Sequence, residues 1–184
     1  MTLREILVER RTALCGRWLD AILDDYDPQT AARWRRTSDP FANPIGHVLG
    51  TALPVLLEAV AGEGEPTADA VRALEEVVRI RCVQELAPSR AVRFVYALRD
   101  AIREELAAEL TGRADELRAL EGRVERLAFL AFDTHARCRE QIFRLRHDEL
   151  KRSVASLLRR WHGNEIPEPP PDVVRLAPPP NAPR

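Results

Sequence analysis

Arg113 to Trp161, RADELRALEGRVERLAFLAFDTHARCREQIFRLRHDELKRSVASLLRRW, is the stretch whose reading decides the fold. It holds no proline and a single glycine, Gly122. Leu117, Leu120, Val124, Leu127, Ala131, Thr134, Cys138 and Leu145 fall on a three-four spacing, mostly apolar up to Cys138. Beyond it the pattern is less regular, with Gln141 and Asp148 at seam positions. A 3.5-residue period over so long a segment predicts a helix that packs along its whole length, a second copy of itself being one candidate partner. At about 1.5 Å per residue such a helix reaches roughly 70 Å, more than a compact domain of this size is wide, so part of it is expected to project.

The 184 residues suffice for one domain with a real core. Hydrophobic residues make up 45% and charged residues 31%, with Ala, Leu, Arg and Glu dominant, which favours an all-α fold because these are strong helix formers. A formal charge of −1 argues against a dedicated nucleic-acid binder, which needs a basic surplus to displace counterions. Cys15, Cys82 and Cys138 are odd in number, far apart and each inside an amphipathic pattern. They read as buried reduced thiols in a cytoplasmic protein rather than a disulfide framework. The N-terminus lacks the basic-then-apolar layout of a signal peptide, and no apolar run approaches membrane-spanning length, so no membrane contact is expected.

Ahead of the long stretch, four further helices and a short helical turn are expected. The first spans about Thr2 to Asp25, with Leu3, Leu7, Leu14, Trp18 and Ile22 on one face. The turn runs from Pro28 through Trp34. Asn43 suits an N-cap with Pro44 at the first helical position. The helix it opens carries Ile45, Val48, Leu49, Ala52, Leu56 and Val60 inward, and Pro54 is expected to kink or split it. Gly62-Glu63-Gly64 closes it as a loop. Thr67 caps the next helix, to Leu86, whose broad arc of Val71, Leu74, Val77, Val78, Ile80, Cys82 and Val83 predicts a central, largely buried element. Ala87-Pro88-Ser89 breaks the chain before a helix from about Arg90 to Leu110, with Ala91, Val95, Leu98, Ile102 and Leu106 inward. Residues 1–161 thus read as one helical domain. Residues 162–184 hold eight prolines and few apolar anchors, so this tail is expected to be extended or disordered. Within it, Pro167-Glu168-Pro169-Pro170 has polyproline-II spacing.

No nucleophile elbow, zinc-protease motif, phosphate loop or di-iron pair occurs, so catalysis is not expected. His135 and Cys138 lie one turn apart and could both face a metal, but without a second pair this stays weak. His47 could meet a haem, yet only 5% of residues are aromatic. Neither a metal nor a cofactor is therefore expected. Two polar clusters stand out: Arg79, Arg81 and Gln84 on the apolar fourth helix, and Asp133, Arg137, Arg139, Glu140, Arg144 and Asp148 along the long one; the partner-binding candidates are Arg79, Arg81, Gln84, Asp133, Arg137, Arg139, Glu140 and Lys151. Asp133–Arg137 and Glu140–Arg144 have the favourable acid-before-base spacing of four. Arg79 or Arg81 is expected to pair with Asp133 or Glu140 across the helix packing. The long helix is also polarised: seven bases against three acids occupy Arg139 to Arg160, which could dock an acidic partner.

At these same residues the chain resembles a known family. NPIGHVLG (Asn43 to Gly50), RIRCVQELAPSRAVRFVYALRDAIREEL (Arg79 to Leu106) and LAFDTHARCREQIFRLRHDELKRS (Leu130 to Ser153) are similar to blocks of the RsbT co-antagonist RsbRD N-terminal domain family. The resemblance implies a globin-like, non-haem helical dimer of about five to six helices. It implies a stressosome-type sensor that relays a signal through a C-terminal linker helix. By position it carries over Arg79, Arg81, Gln84, Pro88, Ser89, Asp133, Arg137, Arg139, Glu140 and Lys151. The STAS output domain of such proteins is not found after the helix, and Pro54 falls where the family helix is unbroken.

Three functions are weighed on this basis. The leading one is a non-enzymatic cytoplasmic signalling module, dimeric, acting on a protein partner through helix contacts. The second is an assembly subunit of a larger enzyme complex, which would co-purify stoichiometrically with an enzyme. The third is a haem or small-ligand sensor using His47 or His135, which an absorption spectrum would reveal.

Overall fold

A computed structural model describes residues 1–36, 39–84 and 86–162, and these form helices and turns with no strand among them. Seven helices follow in order: α1 (Leu3–Glu9), α2 (Arg11–Leu23), α3 (Pro28–Arg36), α4 (Pro44–Ala61), α5 (Ala68–Val83), α6 (Pro88–Glu105) and α7 (Ala114–His162). The chain divides into two units, Met1–Gln141 and Ile142–Arg184. The fold is all-α with a long C-terminal helix, as the composition and the 3.5-residue period predict. The proline-rich segment and its Pro167–Pro170 motif lie outside the described residues.

Local chemistry sets most helix starts. Thr2 and Glu5 form a reciprocal capping box at α1, and Thr67 Oγ1 accepts from Ala70 N at α5. Asn43 caps α4 through Oδ1, which accepts from Gly46 N at 3.0 Å, while its Nδ2 donates to Trp34 O at 2.8 Å. This side chain is 2% exposed and ties the end of α3 to the start of α4. Gly46 is required there, because a Cβ would overlap Asn43 Nδ2 and the Trp34 carbonyl. Gly112, with φ +79°, turns the chain into α7 in a conformation that only glycine adopts freely.

Several boundaries differ from expectation. The first helix is interrupted at Arg10 (φ −88°, ψ 10°), although Arg10 N still donates to Ile6 O and Leu14 N to Arg10 O. The interruption is a single turn residue, Arg10, which caps both helices. Helix α4 runs through Pro54 unsplit. The carbonyl that loses its hydrogen bond belongs to Gly50, which is exposed, so solvent can serve it, and the absent Cβ leaves room for adjustment. Helix α5 ends at Val83, three residues short of Leu86, and α6 ends at Glu105 rather than Leu110. Pro44–Ala61 is 18 residues long with a mean hydropathy of 1.5, so one run does reach membrane-spanning length and composition. Its Leu49, Ala52, Leu53, Leu56, Leu57 and Val60 are instead buried in the protein interior.

The core of Met1–Gln141 centres on Trp18, Phe94, Leu14, Leu56, Leu74 and Leu98, all 1% exposed or less. Full burial of each such side chain contributes about 1.5–3 kcal/mol relative to exposure. Trp18 also donates its indole N–H to Phe94 O at 2.6 Å, so its one polar atom is satisfied inside. Leu120, Val124, Leu127 and Ala131 bring α7 into this core, and Arg123 Nε donates to Val60 O at 2.6 Å. The predicted seam therefore packs within the chain as far as Thr134, whereas Gln141 and Leu145 on the same spacing are exposed. In Ile142–Arg184 most large apolar side chains of α7 are exposed, among them Phe143 (69%), Leu150 (62%) and Trp161 (84%), while Ile142 is half-buried.

Candidate functional site

Arg81 is the most unusual side chain of the interior, a cation 1% exposed. It lies in the last turn of α5, where a positive charge complements the helix dipole. Its Nη2 meets Asp25 Oδ2 at 2.5 Å and Arg90 O at 2.8 Å, its Nε donates to Ala91 O at 3.0 Å, and its Nη1 to Tyr26 Oη at 3.3 Å. The guanidinium carbon sits 5.7 Å from the centre of the Phe94 ring. Tyr26 donates its hydroxyl to Gln84 Oε1 at 2.6 Å. Burial pushes the Tyr26 phenol up, against the opposing pull of Arg81, so the hydroxyl keeps its proton for this bond. Asp25 also faces Arg90 at 3.5 Å and Arg93 at 3.8 Å. One guanidinium thus pins the residues after α2, the end of α5 and the first turn of α6.

This arrangement replaces the expected pairing of Arg79 or Arg81 with Asp133 or Glu140. The acid that reaches Arg81 is Asp25, which follows α2 directly and is turned inward beside Tyr26. Gln84 joins the same interior network. Arg79 is exposed and lines a separate groove of about 230 Å³ between α5 and α7, with Glu75, Thr134, Arg137, Cys138 and Gln141. Arg137 turns to Glu75 at 3.8 Å and to Thr134 Oγ1 at 3.1 Å, and not to Asp133 one turn before it. Asp133, Arg139 and Glu140 are exposed on α7 outside this lining, and Lys151 is exposed in the Ile142–Arg184 unit. The structure therefore divides the sequence-selected residues between an interior pin (Arg81, Gln84), a groove (Arg79, Arg137) and an exposed helix face.

The candidate ligand sites look different in place. Cys82 is buried and Cys138 half-buried, and both are free thiols. Burial, reinforced by the Cys138 side chain beside it, pushes the Cys82 thiol up to about 12. His135 is 1% exposed, and its Nε2 is the only buried side-chain polar atom without a hydrogen-bond partner among the described residues. Desolvation first, then the charge of Arg139, lowers its pKa and keeps the ring neutral. Among the described residues no three His, Cys, Asp or Glu side chains converge as a metal-ligating group.

An all-α body with a buried arginine pin and a 49-residue helix that carries most of the exposed large apolar side chains defines a helical module. The sequence profile of the RsbT co-antagonist protein rsbRD N-terminal domain matches residues 12–150, and the chain belongs to that family. Membership gives it a regulatory, stressosome-type sensor character. No curated protein and no solved structure matches it.

Proposed function

We propose that residues 1–161 are a non-enzymatic, cytoplasmic regulatory module that works as a homodimer and relays a signal to a protein partner through α7. The observation that carries this reading is the composition of α7 itself. One uninterrupted helix contributes Leu120, Val124, Leu127 and Ala131 to the core and exposes Phe143, Leu150, Leu157 and Trp161 further along. A change of packing around Leu120–Ala131 then acts on the same helix that carries the partner-binding residues. Lys151 supplies a polar contact beside those exposed residues, Arg79, Arg137 and Arg139 offer contacts of their own on Met1–Gln141, and Arg81 and Gln84 hold the body that senses. Light scattering on the purified full chain tests the dimer: twice the chain mass of 20.8 kDa is expected, and a strict monomer at all concentrations contradicts it. Affinity purification from native cells tests the relay, which predicts a regulatory protein and not a stoichiometric enzyme.

A further inference from the structure

Within Ile142–Arg184, most of the exposed apolar residues of α7 share a register of their own, with Leu145 and Leu158 off it. Phe143, Leu150 and Leu157 are spaced by seven, and His147, Val154 and Trp161 stand between them at alternating intervals of four and three. This is an a/d stripe with the first set at d and the second at a. It is two residues out of step with the Leu117–Leu145 pattern that supplies the core. The Phe143 and His147 rings lie parallel along it, 6.2 Å apart and inclined by 6°.

The residues flanking the stripe decide what can cover it. In this register Arg144 and Lys151 are at e, and Arg146 and Arg160 at g; the other e and g residues, Leu158 and Ser153, are uncharged. The acids of the segment, Asp148 and Glu149, are at b and c on the outer face. A parallel pair of identical helices sets g against e, which opposes Arg146 to Lys151 of its copy. An antiparallel pair sets e against e and g against g, again base against base. Both self-pairings are therefore repulsive at the very positions that choose a coiled-coil partner.

Building on the regulatory reading above, we infer that the Phe143–Trp161 stripe is the docking surface for an acidic amphipathic helix of a different protein, one with an apolar a/d seam and Glu or Asp at its e and g positions. An anionic membrane would also attract the bases. It would want a broad apolar arc, however, and this stripe is narrow, with Asp148 and Glu149 on the same turns. His147 at an a position lowers affinity somewhat and fixes the register of the partner.

The test uses the dye-labelled full chain and four probes, read by the change in its diffusion. They are a designed helix of about three heptads with Glu at e and g, its Lys counterpart, a peptide of residues 142–162, and phosphatidylserine–phosphatidylcholine vesicles. The acidic helix is expected to bind saturably, at least tenfold more tightly than the Lys helix and the self peptide, and to weaken as salt rises. Leu150→Glu should lose at least tenfold of that binding without a change in thermal midpoint, since Leu150 is exposed. Equal or tighter binding of the self peptide, or binding to vesicles with none to the acidic helix, overturns the inference. Neither result touches the dimer mass, on which the regulatory reading is judged separately.

Discussion

Replacing Arg81 by leucine leaves Asp25 without its buried counterion and removes the donors to Arg90 O, Ala91 O and Tyr26 Oη. Truncating one member of a buried pair costs about 3–5 kcal/mol, chiefly because the remaining charge is stranded. Arg90 and Arg93 still stand 3.5 and 3.8 Å from Asp25, so the lower part of that range applies, about 3–4 kcal/mol. In a chain of this length each kcal/mol moves Tm by about 2–4 °C, which gives a fall of about 6–16 °C. Far-ultraviolet circular dichroism during heating and urea titration measures it. Arg79→Leu, on the exposed side of the same helix, should stay within about 0.5 kcal/mol of the parent. A double-mutant cycle with Asp25→Asn should show a coupling above about 1 kcal/mol, little changed by salt because the pair is buried. If Arg81→Leu melts with Arg79→Leu, the interior pin contributes nothing and the reasoning about α2, α5 and α6 fails.

Two further predictions concern the NPIGHVLG segment and the buried imidazole. Gly46→Ala forces a methyl group into Asn43 Nδ2 and Trp34 O and should cost about 1–3 kcal/mol, whereas Gly16→Ala on the exposed face of α2 meets nothing within 4 Å and should gain about 0.5–1 kcal/mol. Equal urea midpoints for the two variants would refute the close approach. His135 is held below its ordinary 6.5, so the unfolded chain binds the proton more readily than the native one. Its contribution to stability is therefore complete above that value and is lost as pH falls through the depressed native pKa. His135→Leu should flatten the loss of stability between about pH 7 and pH 5, and at neutral pH should unfold at no lower urea concentration, because Nε2 has no partner to lose. An unchanged pH slope would show that the imidazole is not the titrating group.

The helices were legible because their signals are local. Asn43-Pro44, Thr67 and Ala87-Pro88 mark starts, and the period from Leu117 to Ala131 marks the face of α7 that enters the core. What failed to show was tertiary. Asp25 looks like the solvated end of the first helix, and only the turn into Tyr26 brings it to Arg81, 56 residues away. A lone arginine amid Val77, Val78 and Cys82 was the available clue that a buried acid must exist somewhere. The length of the buried seam is tertiary too. The sequence reads as one heptad ladder to Leu145, yet Phe143, Leu150, Val154, Leu157 and Trp161 follow a different register. Periodicity does not say whether a helix face meets its own chain or another.

Native-state hydrogen exchange on the resting full chain tests most directly whether α7 divides into a core segment and an exposed docking segment. Amides in Leu120–Ala131 should open only with the core, while those in Phe143–Trp161 should exchange at least about a hundredfold faster until an acidic helix is added. Equal protection of both segments in the resting chain would mean that the stripe is already covered by its own chain or its copy, and would contradict the account.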